Sequence, residues 1–217
     1  MMKNEFYKRI LSSIVLIPIT LFFVIKGTHF FNFFLLICLF AAIYEWHLLT
    51  KDKFYKITGY LFILISFYFV YLLRNDFDGK YTIFLLILLI CVSTDLGGYI
   101  FGKIFKGPKL TKVSPNKTYA GMIGGYLLSI IFTSVYLNYF EFFIIKKAEI
   151  FNFYDFIFVI IISSISQFGD ITISYFKRKS KIKNTGKIIP GHGGILDRID
   201  GMIFAFPSSY IILKFLY

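Results

Sequence analysis

The chain has 217 residues, 57% of them hydrophobic and 21% aromatic, with a mean hydropathy of +0.71 and a formal net charge of +12. A soluble domain of this length buries its core with far less apolar material, so the composition excludes an ordinary water-soluble globule and makes the bilayer the solvent. The positive charge does not by itself point to nucleic acid, because Phe, Ile, Lys, Asn and Tyr are abundant together, as an AT-rich genome favours.

Crossing a hydrocarbon core of ~30 Å takes ~20 mainly apolar residues. In chain order such runs occupy residues 10–26, 30–47, 57–73, 82–101, 119–140, 151–173 and 202–217. An eighth, broken or re-entrant helix stays open. The expected fold is therefore an all-α, polytopic membrane protein of about seven (six to nine) transmembrane helices. The start, with its basic head and apolar run, imitates a signal peptide. No small-residue cleavage site follows promptly, so a retained first span is expected. No repeat, linker or separate soluble domain is visible, and residues 1–217 read as one membrane-embedded domain. Cys38 and Cys91 lie inside apolar runs and read as packing residues.

Charge orients the spans. Under this threading one side collects three basic residues in Lys3–Arg9, three in Lys51–Lys56, five in Lys103–Lys117 and seven in Lys177–Arg198, which is eighteen of the 24. The positive-inside rule puts these segments and the N-terminus in the cytoplasm. The opposite loops, 74–81 and 141–149, read as solvated surface, Arg74 included.

Gly, Pro, acids and bases mix densely in two cytoplasmic segments only, 93–125 and 166–201. Asp95 closes the apolar stretch 84–95 within the fourth run and Asp170 the stretch 156–170 within the sixth, and an acid at that depth is costly unless paired, hydrated or bound to a cation. Tyr99 and Lys103 follow Asp95 at i+4 and i+8. Ser174, Lys177 and Arg178 follow Asp170 on one helical face, which suits either a salt-bridged helix end or a cation site with phosphate-binding arms. The stretch "IPGHGGILDRIDG", 189–201, places Asp197 and Asp200 at i, i+3 before the last span. Both would complement the positive end of a helix they begin. That does not account for His192 or its glycines, which suit a loop wrapped around a phosphate.

Together, Asp95, Asp170, Asp197 and Asp200 form an oxygen-donor set suited to Mg²⁺. The Lys and Arg clusters suit polyphosphate. No Cys/His spacing for zinc, no P-loop and no nucleophile elbow is present. The chemistry that fits is metal-assisted phosphoryl or nucleotidyl transfer to a lipid at a membrane surface. An ion-coupled lipid or anion transporter fits less well, since its acids belong near the midplane and its halves often repeat.

These residues resemble the phosphatidate cytidylyltransferases (CDP-diacylglycerol synthases), whose signature runs S-x-x-K-R-x4-K-D-x-small-x2-apolar-P/G-x-H-G-G-x-x-D-R-x-D. The chain supplies Ser174, Lys177, Arg178, Lys183, Gly186, Ile189, Pro190, His192, Gly193, Gly194, Asp197, Arg198 and Asp200 at that spacing. Upstream, 94–125 is similar to a D-x-x-A/G-Y-x-x-G segment followed by S-P-x-K-T-x-x-G-x-x-G-G, carrying Asp95, Ser114, Lys117 and Thr118. "YEWHLL" at 44–49 is similar to an E-W element. Two positions depart: Asn184 stands where the signature has an acid, and Ala120 where K-T-x-E-G has one.

The resemblance implies that CTP and phosphatidic acid give CDP-diacylglycerol and pyrophosphate, with Mg²⁺ on Asp170 and Asp197. Asp200, Lys177, Arg178 and His192 complete the implied catalytic set, with His192 as a phosphate contact rather than a base. Ser114, Lys117, Thr118, Ser174, Lys183, Asn184, Gly193, Gly194, Arg198 and Asp95 form the implied substrate-binding set. A monovalent cation such as K⁺ and a homodimer are left open. The expected location is the inner (plasma) membrane, with the site facing the cytoplasm. A CTP-dependent lipid-alcohol kinase, of the dolichol or phytol kinase kind, is the nearest alternative.

Overall fold

The computed structural model describes residues 2–51, 53–77, 81–140, 151–186, 188–189 and 193–216. Helices follow one another throughout: α1 (Met2–Lys26), α2 (Thr28–Leu49), α3 (Lys56–Asn75), α4 (Tyr81–Phe105), α5 (Tyr119–Phe140), α6 (Phe153–Lys179), the single turn α7 (Leu196–Ile199) and α8 (Met202–Leu216). Among the described residues there are isolated bridges but no strand. Lipid offers no partner to a free backbone N–H or C=O, so apolar runs of this length close their hydrogen bonds internally as helices. Five helices are long and apolar enough to cross a bilayer, and two shorter apolar stretches, Ile14–Lys26 and Met202–Phe215, accompany them. Among the described residues each of the seven runs read from the sequence falls on a helix, the sixth from Phe153 onward. Pro18 in α1 and Pro207 in α8 sit within helices.

The chain packs as two compact units, Met1–Tyr81 with Phe176–Asp200 and Thr82–Tyr175 with Gly201–Tyr217. In the first, Trp46 of α2 lies against Gly59 of α3, where a Cβ would stand 2.0 Å from its ring. Its indole N–H donates to the Lys56 carbonyl at 3.1 Å, and its ring meets Phe176 edge-on at 5.3 Å between centroids. Arg74 differs from its expected place on a solvated loop. It is 6% exposed and donates through Nε to the Val24 carbonyl at 2.9 Å. Its guanidinium lies where a side chain at Gly27 (φ +65°) would go. A cation at the carbonyl-rich end of α1 satisfies groups that helix termini leave unpaired.

In the second unit α4 and α5 cross closely. A Cβ on Gly97 would stand 2.2 Å from the Gly124 carbonyl, and one on Gly121 would stand 2.7 Å from the Gly98 carbonyl. Small residues let helix backbones approach where lipid offers no hydrophobic drive to associate. A buried hydrogen bond from Thr94 Oγ1 to Ser163 Oγ, 2.8 Å, joins α4 to α6. At the start of α6, Asn152 and Asp155 cap each other reciprocally, each backbone N–H donating to the other's side-chain oxygen at 3.0 Å. Cys91 is buried and free, as a packing residue should be, and Cys38 is free and partly buried.

Candidate active site

In the first unit the signature loop is organised by a residue outside it. Glu45, on α2, is fully buried. Its Oε2 accepts from Thr185 Oγ1 and from the Leu196 N–H, both at 2.8 Å, and its Oε1 accepts from the Ile195 N–H at 2.9 Å. A buried carboxylate needs such donors to offset lost hydration. The same contact explains two signature glycines. A Cβ on Gly186 would lie 2.6 Å from Oε1, and one on Gly194 would lie 2.2 Å from Oε2.

Asp197 forms a second anchor in this loop. Its Oδ2 accepts from the backbone N–H groups of Thr185 (2.8 Å) and Gly194 (3.0 Å), and Lys177 Nζ donates to its Oδ1 at 2.9 Å. Lys177 also stands 3.7 Å from Asp200 Oδ2. The i, i+3 spacing thus turns both acids toward one ammonium. They do not begin the final helix, however: Asp197 lies in α7, Asp200 just after it, and α8 starts at Met202. Gly193 has φ +94°, and a Cβ there would stand 2.6 Å from Asp197 Oδ2, so both conformation and space require glycine. Ile189 and Gly193 exchange two backbone hydrogen bonds, 2.8 and 3.1 Å. His192 lies outside the described residues.

Around this core the other predicted residues are accessible. Arg178 is exposed and donates from Nη1 to the Ile182 carbonyl at 3.2 Å, and Lys183, Asn184 and Arg198 are exposed as well.

In the second unit, Lys117 Nζ reaches Asp170 Oδ2 at 2.5 Å, with the two side chains 23% and 27% exposed. Ser174 donates to Asp170 Oδ1 at 3.3 Å, the i, i+4 contact that one helical face predicts. Thr118 Oγ1 accepts from the Gly121 N–H at 3.1 Å and caps α5. Ser114 accepts the Lys117 N–H on its carbonyl at 3.0 Å, so the S-P-x-K-T loop folds back to present Lys117. Asp95 is exposed on α4, and further along that face Lys103 lies over the Tyr99 ring at 5.7 Å.

The sequence matches the cytidylyltransferase family over residues 7–81 and 56–216. A phosphatidate cytidylyltransferase of Rickettsia felis is 35% identical over 213 residues, covering 97% of this chain and 93% of the relative. That of Rickettsia conorii is 35% identical over 93% of the chain and 88% of the relative, and that of Staphylococcus saprophyticus is 39% identical over 67% and 54%. The chain belongs to the cytidylyltransferase family.

For a cytidylyltransferase, the polar residues divide by task. Glu45 holds the loop beside Gly186 and Gly194, while Asp170 and Lys117 pair with each other at partly exposed positions. Reading the motif alone misses the task of Glu45. The available signal was an acid inside an apolar run, which is expensive unless it serves something.

Proposed function

We propose that this cytidylyltransferase moves the cytidylyl group of CTP onto phosphatidate. The observation that carries the reading is the near-full-length kinship with phosphatidate cytidylyltransferases, together with a signature loop held in place by Glu45 and Asp197. A non-bridging oxygen of the phosphatidate phosphate attacks the α-phosphorus of CTP. The bond from that phosphorus to the α–β bridging oxygen breaks, and pyrophosphate leaves with the electron pair. Phosphatidate is already ionised near neutral pH, so no side chain has to remove a proton.

The residues present fit Mg²⁺. Asp170 uses each oxygen once, on Lys117 and Ser174. Asp197 Oδ1 accepts only Lys177, whereas its Oδ2 already serves two backbone donors. Each carboxylate thus keeps acceptor capacity for one further bond, and Mg²⁺ characteristically takes one or two carboxylates plus substrate phosphates. Among the described residues no group of three or more acids, His or Cys forms a metal cage; each acid, within its own unit, suits an ion that substrate phosphates also hold. When bound, Mg²⁺ neutralises triphosphate charge and lets two anionic substrates approach. Lys117, held against Asp170, and the exposed Arg178 and Arg198 supply cationic donors for phosphate oxygens. Lys177, only 7% exposed and drawn to Asp197, orients the loop and reaches substrate less readily.

Purified protein given phosphatidate, Mg²⁺ and CTP labelled at the α-phosphorus is expected to place the label in lipid and release unlabelled pyrophosphate. Transfer of a γ-label to a lipid alcohol would instead identify a kinase. The site faces the cytoplasm in this reading, supported by the distribution of Lys and Arg. Cysteines introduced at Lys106 and Lys181 are expected to resist an impermeant thiol reagent in intact cells and to react once cells are opened. Labelling of both in intact cells reverses the orientation.

A further inference from the structure

Within the first unit, away from Glu45 and Asp197, a pocket of about 240 Å³ opens between the end of α2, the segment after it and the end of α6. Lys51, Lys53, Lys179 and Lys181 line it, with Ser180 and Leu48 between them. The backbone there is already satisfied: the N–H groups of Lys53, Ser180 and Lys181 donate to the carbonyls of Thr50, Phe176 and Arg178 at 3.0, 3.0 and 2.9 Å. Ser180 Oγ donates to the Leu49 carbonyl at 2.7 Å. What the pocket has left to offer is ammonium groups.

Among the described residues, no ion pair joins Lys51, Lys53 or Lys181 to a carboxylate. Two helix C-termini contribute roughly −0.5 each. Asp52, which lies outside the described residues, contributes one negative charge more. Lys51, Lys53 and Lys181 alone leave an excess of about +1 against these. Compensation of helix ends therefore does not account for all three.

The rim is apolar as well as basic. Phe54 is 91% exposed and Leu48 52% exposed, and Lys179 lies over the rings of Tyr55 and Phe54 at 4.6 and 5.8 Å. Exposed aromatic and aliphatic groups beside lysines, at the ends of apolar helices, suit the boundary between head groups and acyl chains. The volume is below the roughly 300–1,000 Å³ usual for a site that engulfs a whole small molecule. It suits a head group whose chains remain outside.

We propose that this lysine-lined pocket binds the phosphate of an anionic phospholipid head group, at a site separate from the reacting centre. Phosphatidylglycerol is the probe, since it is anionic but is neither substrate nor product of the proposed reaction. Native mass spectrometry of the detergent-purified full chain is expected to show it retained over phosphatidylcholine. Lys51→Ala combined with Lys181→Ala is expected to weaken that retention about 25-fold, at about fivefold per interfacial lysine. Cytidylyl transfer in neutral detergent should persist, showing that the variant is folded. Lys106→Ala combined with Lys112→Ala removes the same charge elsewhere and is expected to leave retention within about twofold. Equal losses in the two double variants would reduce the effect to diffuse charge and overturn the proposal. Displacement of the lipid by millimolar inorganic phosphate or CTP, with either bound in its place, would make this a soluble-phosphate site and overturn the lipid assignment.

Discussion

Glu45→Gln is expected to lower kcat/KM for CTP by roughly 10- to 100-fold, equivalent to about 1.4–2.7 kcal/mol, although position 45 lies on α2, far in sequence from the signature. Glutamine has the right shape and one acceptor too few. The carboxylate receives three donors, from Thr185, Ile195 and Leu196. If the glutamine oxygen takes the Oε2 position, its NH₂ faces the Ile195 N–H. If the oxygen takes the Oε1 position, the NH₂ faces the Leu196 N–H and the Thr185 hydroxyl. Either way a buried donor loses its partner, at about 1–3 kcal/mol for each such group. Hydrogen exchange provides the direct measurement: the Ile195 and Leu196 amides should exchange faster in the variant, while amides in the middle of α2 keep their protection. Unchanged exchange at 195 and 196 with unchanged kcat/KM would show that Glu45 does not organise the loop.

This contact also shows where the sequence could be read and where it could not. The helices were legible because a bilayer imposes one demand, backbone satisfaction over a fixed thickness, and apolar run length reports it directly. The local part of the site was legible for a similar reason. Helical spacing places Ser174 on Asp170, and i, i+3 spacing turns Asp197 and Asp200 toward the same lysine. Pairings across the chain left no local trace. Glu45 meets Thr185 and Leu196 across 140 and 151 residues, and neither Lys117–Asp170 nor Arg74–Val24 is implied by periodicity. The glycines are the instructive case. Read as a motif, those around His192 suggest a cradle for phosphate; beside Gly194, as beside Gly186, a protein carboxylate fills the space a side chain would take. Glycine marks close approach without saying what approaches.

Asp170→Asn and Asp197→Asn are expected to separate activity from stability, because the two acids carry different structural tasks. The Lys117–Asp170 pair is about one-quarter exposed on each side, and partly solvated ion pairs contribute about 0–1 kcal/mol. Asn at 170 should leave unfolding in detergent near that of the parent while turnover falls on the order of 10²–10³-fold, the scale of losing one electrostatic contact to a reacting phosphate. The Asp197 side chain, 7% exposed, lies at the centre of a network. An asparagine oxygen can still accept from Thr185 and Gly194, but its NH₂ then points at Lys177, which keeps Asp200 only at 3.7 Å. Removing one partner of a buried pair costs about 3–5 kcal/mol, so Asp197→Asn should lower stability and turnover together. Lys177→Met in the Asp197→Asn background removes the stranded ammonium. It should recover part of the stability without recovering turnover, since the spare acceptor capacity of the Asp197 carboxylate stays lost. Thermal unfolding measured beside turnover over a range of Mg²⁺ concentrations reads both effects. Near-parental turnover in Asp170→Asn would remove that residue from the reacting site. Parental stability in Asp197→Asn would show that the Lys177 bridge contributes nothing to holding the loop.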